Sequence, residues 1–150
     1  MGRIVLSALI VLMVIATSIA DLGFMHASNP AWPPHAKLHA IWNVTHVAGT
    51  HMLALGLLWI GPDSSSILRL RVAVGILLAF MIGFLLASFA APLFGASVHP
   101  DLPPVDRPPT VFGLDGNTVG FLIALPITLI AWRSCEKQAA RPPYCSSGVE

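Results

Sequence analysis

The chain has 150 residues, of which 55% are hydrophobic and only 10% are charged, and its formal net charge is +1. An ordinary soluble domain carries about 25% charged residues, and a protein this small cannot hide so much apolar surface from water. The composition excludes a soluble enzyme and a disordered chain, and also a nucleic-acid-binding protein, for which a basic face is expected. It predicts an integral membrane protein surrounded by the lipid bilayer.

Four apolar segments come close to the roughly 20 residues that a helix needs to cross a bilayer. In chain order they are residues 4–20, 37–60, 72–93 and 117–132. The first is slightly short, the second carries polar residues, and Pro126 in the fourth lacks the N–H for the helix ladder and is expected to kink that helix. The sequence thus predicts an all-α bundle of four transmembrane helices over residues 1–132, followed by a flexible cytoplasmic tail, residues 133–150.

Lysine and arginine are distributed unequally over the connections, and cytoplasmic loops normally carry the excess of these residues. With the N-terminus inside, six of the eight fall on the cytoplasmic side. We therefore expect an N-in, C-in topology, with a bacterial inner membrane as the default location. The cytoplasmic set is Arg3, Arg69, Arg71, Arg133, Lys137 and Arg141, and the outer set is Lys37 and Arg107.

The first segment has a second interpretation. Arg3, the apolar run and the small residues Ser18 and Ala20 ahead of Asp21 also fit a cleaved signal peptide. The mature chain would then have three helices. The sequence leaves both interpretations open.

Six histidines are many for a chain with so few polar residues. On a helical wheel of about 100° per residue, five polar side chains of the second segment share an arc of about 80°. Because unpaired polar groups are costly in lipid, we expect this polar stripe to face the bundle interior, in a pocket open to the outer side. His51 falls outside the arc. The polar stripe consists of His35, His39, Asn43, His46 and Thr50.

Two histidines of the polar stripe have the spacing of metal ligands. His35 and His39 are four residues apart on one helical face, so both imidazoles can reach one metal ion. His46 lies about 10 Å further along the helix axis and suits a second site or a proton relay. Further ligands would come from other residues on the outer side, namely Asp21, His26, His99 and Asp101.

The polar stripe has three interpretations. It can hold a metal ion or a redox cofactor such as haem. It can perform acid–base catalysis, with His39, His46 and Asp21 as candidates. Alternatively, its side chains satisfy one another in a wet bundle core. The candidate ligand-binding residues are Asn29, Asn43 and Thr50.

The residues that join the first two segments carry a specific pattern. An Asp closes the first helix, a His follows, and Asn-Pro-x-Trp-Pro-Pro-His-Ala leads to a final His. This pattern resembles the signature of a family of small four-helix membrane proteins to which no activity is assigned. The family usually has an aromatic residue where Leu38 stands and a polar one where Leu22 stands. The resemblance implies a shared polar cluster of Asp21, His26, Asn29, His35 and His39.

Two looser similarities concern the architecture alone. The layout is similar to that of DoxX-like membrane proteins, which implies a quinone or another redox partner. It is also similar to that of sterol-isomerase-like membrane proteins, which implies histidine and acidic groups in an intramembrane pocket.

The leading hypothesis is an outward-facing histidine-rich pocket that binds a metal ion or a small or lipid-like ligand, with redox or acid–base chemistry. Asp21, His26, His35 and His39 would form its mouth. The alternative is a non-catalytic accessory subunit or structural bundle. The polar stripe would then meet a partner helix, and small residues spaced by four on the third segment would serve assembly with a partner protein or a second copy. These small residues are Gly83, Ala87 and Ala91.

Overall fold

The structure is a computed structural model that describes residues 1–23, 26–60, 66–98 and 110–139. Within these ranges it contains four α-helices, α1 (Gly2–Leu22), α2 (Pro34–Trp59), α3 (Ile67–Ala90) and α4 (Gly116–Ala139), and a short 3₁₀ helix, Ala91–Phe94, extends α3. The predicted all-α architecture with four helices is confirmed. Three of the described helices, α1, α3 with its extension, and α4, are long and apolar enough to cross a membrane, whereas α2 is not among them.

The helices extend beyond the apolar segments that predict them. α2 already begins at Pro34 and α3 at Ile67, and α4 continues past Trp132 to Ala139. Hydropathy marks only the apolar part of a helix, whereas the backbone hydrogen bonds continue into polar residues. The first part of the predicted flexible tail is therefore helical, and residues 140–150 lie outside the described residues. Pro126 lies inside α4, which continues on both sides of it.

Each helix packs against two neighbours, so that the four form a closed ring in the order α1, α2, α3, α4. Neighbouring helices run antiparallel. The guanidinium of Arg3 in the first turn of α1 donates to the carbonyl of Leu58 near the end of α2, at 3.5 Å. Arg71 near the start of α3 pairs with Glu136 near the end of α4, at 2.8 Å.

The bundle has two chemically different ends. The cationic end, defined by Arg3, Arg69, Arg71, Arg133 and Lys137, contains the start of α1 and α3 and the end of α2 and α4. The opposite end, here called the histidine end, carries His26, His35 and His39. The helix order and the antiparallel packing produce this separation.

The apolar core fills the half of the bundle next to the cationic end. Leu6 and Ile10 of α1 meet Leu58 of α2 and Leu77 and Met81 of α3, and all five are almost fully buried. α4 contributes small side chains to the same core, which lets it approach α1 and α3 closely. These are Ala124, Ala131 and Cys135.

Candidate functional site

The apolar core does not continue into the half of the bundle next to the histidine end. A cavity of about 920 Å³ lies there, lined by residues from all four helices. Leu9, Met13 and Ala124, which belong to the core, form its floor. This volume lies within the range of about 300–1,000 Å³ that is typical of small-molecule sites.

Aromatic rings form much of the wall between α3 and α4. Phe84 and Phe121 stack with ring centroids 4.3 Å apart, and Phe80 meets the edge of Phe121 at 5.4 Å. Such pairs are stabilised by their ring quadrupoles in addition to apolar burial. The wall next to the floor is therefore both apolar and well packed.

Polar side chains line the rest of the cavity, mainly toward the histidine end. Asp21 is the one charged residue among the described lining residues. Its Oδ2 accepts a hydrogen bond of 2.7 Å from Nδ2 of Asn43, which ties the end of α1 to α2. The cavity is thus polar at its mouth and apolar at its floor. The polar lining residues are Thr17, Asp21, Asn43, His46, Thr50 and Asn117.

The structure divides the predicted polar stripe into two parts. Asn43, His46 and Thr50 line the cavity, whereas His35 and His39 do not. The two histidines form a pair on the exposed surface of the first turns of α2, with 3.1 Å between their Nε2 atoms and their ring planes at 89°. Because the first turns of α2 extend beyond the cavity, the polar stripe lies partly in the cavity and partly on the exposed surface of the helix.

The other predicted site residues in the α1–α2 connection act within that connection. Nδ1 of His26 donates to the carbonyl of Ala20 at 2.8 Å, and the ring lies edge-on to Trp32 at 4.7 Å. Asn29 is fully buried, and its Oδ1 accepts the N–H of Ala31 at 2.9 Å. None of these side chains lines the cavity. They hold the chain in the turn that carries it from α1 to α2.

The predicted metal site requires ligands from several parts of the histidine end. Among the described residues, no group of three or more His, Cys, Asp or Glu side chains is arranged to hold a metal ion. Asp21 is engaged by Asn43, and His26 by a backbone carbonyl, rather than by the paired histidines. His99 and Asp101 lie outside the described residues.

Two polar lining residues are absent from the sequence hypotheses. Thr17 precedes Asp21 by four residues, so helical spacing places both on one face of α1. This spacing could have predicted that Thr17 lines the same site as Asp21. Asn117 lies in the first turn of α4, where Asp115 accepts its backbone N–H at 2.9 Å and that of Thr118 at 3.0 Å. This N-terminal cap fixes where α4 begins, and thereby places Asn117 at the cavity.

His51 is the histidine of α2 that the sequence places outside the polar stripe. It is 1% exposed, its ring lies edge-on to Phe80 with centroids 5.1 Å apart, and its Nε2 has no hydrogen-bond partner among the described residues. It lies on the buried face of α2, whose members are spaced alternately by four and three residues. This spacing is visible in the sequence and typical of a packed helix face. The face consists of Ala40, Val44, Val47, His51, Ala54 and Leu58.

Comparison of this chain with protein-family models, with curated proteins and with solved structures finds no match. Its function is therefore inferred from the cavity and from the side chains around it.

Proposed function

We propose that this chain is a membrane protein that binds an amphiphilic, lipid-like molecule in the cavity of its helix bundle. The apolar part of the ligand lies on the floor formed by Leu9, Met13 and Ala124, and its polar head group lies beside Asp21 and Asn43. The observation that carries the proposal is the change of polarity along the cavity, from a core-like floor to a polar mouth. A pocket with a mainly apolar lining and a few polar groups is the usual form of a small-molecule site.

The charge of the cavity favours a particular class of head group. Asp21 is the one charged residue among the described lining residues, and Asn43 holds its carboxylate at the mouth. A carboxylate in a region partly shielded from water attracts a cation or a hydrogen-bond donor more strongly than it would in bulk water. The proposed ligand therefore carries an amine or another donor at its polar end, and an anionic head group is disfavoured.

The proposed setting is a bundle in which all four helices cross the membrane. α2 has 26 residues, which corresponds to about 39 Å at about 1.5 Å per residue. Among the residues that lower its hydropathy, Asn43, His46 and Thr50 line the cavity and therefore need not face lipid. The excess of Lys and Arg at the cationic end supports a cytoplasmic location for that end, so the cavity opens to the opposite side. Reporter fusions after residue 150 and in the α1–α2 connection test this topology.

The binding proposal is tested with a photoreactive probe. The untagged chain, purified in mild detergent, is labelled with a sixteen-carbon primary amine that carries a diazirine near its methyl end. We expect labelling that saturates with probe concentration and falls on residues at the cavity floor, identified by peptide mass spectrometry. Replacing Gly83, which lines the cavity, by Phe places a ring in the binding volume and lowers labelling by about tenfold, a loss of about 1.4 kcal/mol in binding free energy.

A matched control is available on the same helix. Gly75 is two turns away on an exposed face that does not line the cavity, and an added Cβ there meets nothing within 4 Å. Gly75→Phe is therefore the same chemical change outside the site, and we expect it to label like the unchanged chain. Equal labelling of the Gly75→Phe and Gly83→Phe variants contradicts the proposal and favours a non-catalytic accessory subunit.

The head-group class is tested with two further probes of the same length, an alcohol and a carboxylic acid. The amine is expected to label best and the acid worst. Asp21→Asn removes the charge but keeps an acceptor oxygen for Asn43, so this variant is expected to lose the preference for the amine and to retain labelling by the alcohol. An unchanged order of the three probes in Asp21→Asn overturns the assignment of the head group to Asp21.

A further inference from the structure

The paired histidines on α2 form a second, separate arrangement at the histidine end. Neither lines the cavity, and both side chains are exposed. The Nε2 atoms lie 3.1 Å apart, so one ring donates an N–H to the other. The two Nε2 atoms therefore lie close enough together to share one ligand outside the helix.

We propose that His35 and His39 form a two-histidine binding site for a divalent transition-metal ion such as Zn²⁺, Ni²⁺ or Cu²⁺. Imidazole nitrogen is a good ligand for these ions. A metal that bonds both Nε2 atoms at the usual length of about 2.0–2.1 Å would meet nitrogens 3.1 Å apart at an angle of about 100°. This angle lies between the values for octahedral and tetrahedral coordination. The distance between the nitrogens therefore suits one ion, once the rings turn their Nε2 lone pairs from each other toward it.

Binding replaces the hydrogen bond between the rings. Each ring carries its one proton on Nδ1 and presents the lone pair of Nε2 to the ion, as metal-bound neutral imidazoles do. The two residues come from adjacent turns of a regular helix, so their backbones are held in place before the ion arrives. The remaining coordination positions face water, because both side chains are exposed and no third His, Cys, Asp or Glu joins them among the described residues.

The test uses Ni²⁺, which brings no redox chemistry to the cysteines, and the untagged full chain in mild detergent. Isothermal titration is expected to show one Ni²⁺ per chain. His35→Ala and His39→Ala are each expected to weaken binding by at least about tenfold, because the second ligand acts at a high effective concentration. The ring of Trp42 lies 6.0 Å from that of His39, so its fluorescence is expected to be quenched as Ni²⁺ binds.

A register-shifted double variant is the matched control. His39→Ala combined with Ile41→His keeps the number of histidines, and Ile41 is already exposed. The two histidines would then be six residues apart, about 120° around the helix from each other, and could not share one ion. We expect this variant to bind as weakly as His39→Ala. The quenching should also disappear in Trp42→Phe, which locates the ion.

Two outcomes overturn the proposal. One is equal Ni²⁺ affinity in the unchanged chain and in the register-shifted variant. The other is no binding below a Kd of about 1 mM. The site is independent of the proposed amphiphile binding, since neither His35 nor His39 lines the cavity. Labelling by the sixteen-carbon amine is therefore expected to persist in His39→Ala, and failure of either proposal leaves the other intact.

Discussion

The side-chain amide of Asn43 donates a hydrogen bond of 2.7 Å to the carboxylate of Asp21, across 22 positions of sequence. It connects α2 to the last turn of α1 at the mouth of the cavity. Asp21 is half-buried and Asn43 is exposed. The bond holds the two helices together and also positions the carboxylate of Asp21, which is the charge that the cavity presents.

Asn43→Leu tests the structural part of this contribution. The substitution keeps a side chain of similar size but removes the donor. We expect the free energy of unfolding to fall by about 1 kcal/mol, because the lost bond has a charged acceptor but remains partly solvated. Unfolding in mixed detergent micelles measures this. Thr45→Val is the control, since within the described part of the chain the Thr45 hydroxyl bonds only to carbonyls of its own helix. An equal loss in both variants would show that the bond between the helices contributes nothing.

The sequence predicts the helices of this protein, but it does not predict the contact between Asp21 and Asn43. Hydropathy and Lys/Arg counting predicted the helices and the charge difference between the two ends, because both depend on local composition. The helical wheel grouped His35 with His46 correctly by angle. It could not show that the first turns of α2 project beyond the cavity, because that depends on where the other three helices end. The partner of Asn43 likewise depends on how α1 and α2 pack.

His51 shows the opposite case, in which the sequence contains information that the helical wheel of the polar residues does not use. The alternation of four and three residues from Ala40 to Leu58 places His51 on the face of α2 that packs against its neighbours. A wheel that includes only polar residues does not show that a histidine lies among apolar residues on such a face. Apolar spacing read independently of the histidines would have placed it in the core.

Packing between α1 and the other helices is tested by a pair of isoleucines. Ile10 is fully buried, whereas Ile15 on the same helix is half exposed. Ile10→Ala is expected to lower the free energy of unfolding by about 2 kcal/mol or more, since it leaves a void in a packed core. Ile15→Ala is expected to change it far less. If the two variants were equally stable, α1 would not pack into the bundle as described.

Gly2 provides a test of the contact between α1 and α4. An added Cβ would lie 2.7 Å from the carbonyl oxygen of Ala131 and would also meet the sulfur of Cys135, which is buried. Gly2→Ala therefore forces the two helices apart. The second cysteine of the chain is Cys145, and Cys145→Ser removes it as a competing thiol. In that background, we expect Cys135 to react several times faster with a thiol reagent, because the cationic end opens more often. Gly49→Ala, where nothing lies within 4 Å of the added atom, should leave the rate unchanged.

The ion pair between Arg71 and Glu136 is expected to matter little for stability. Its side chains are 56% and 27% exposed, and exposed pairs contribute between about 0 and 1 kcal/mol. Arg71→Ala and Glu136→Gln should each change the free energy of unfolding by less than about 1 kcal/mol. A salt titration of the unchanged chain provides a further check. A larger loss in either variant would show that the pair is shielded from water in the folded chain.

Two substitutions of His51 separate its packing from its polarity. His51→Leu keeps most of the volume against Phe80 and removes the Nε2 atom that has no partner among the described residues. Since an unpaired buried polar atom is destabilising, we expect this variant to be as stable as the unchanged chain or more stable by up to about 1 kcal/mol. His51→Ala leaves a void and is expected to lose about 2 kcal/mol or more. If His51→Leu loses as much as His51→Ala, polar contacts of the ring nitrogens, such as that between Nδ1 and the hydroxyl of Thr50 at 3.4 Å, contribute more to stability than the apolar packing of the ring.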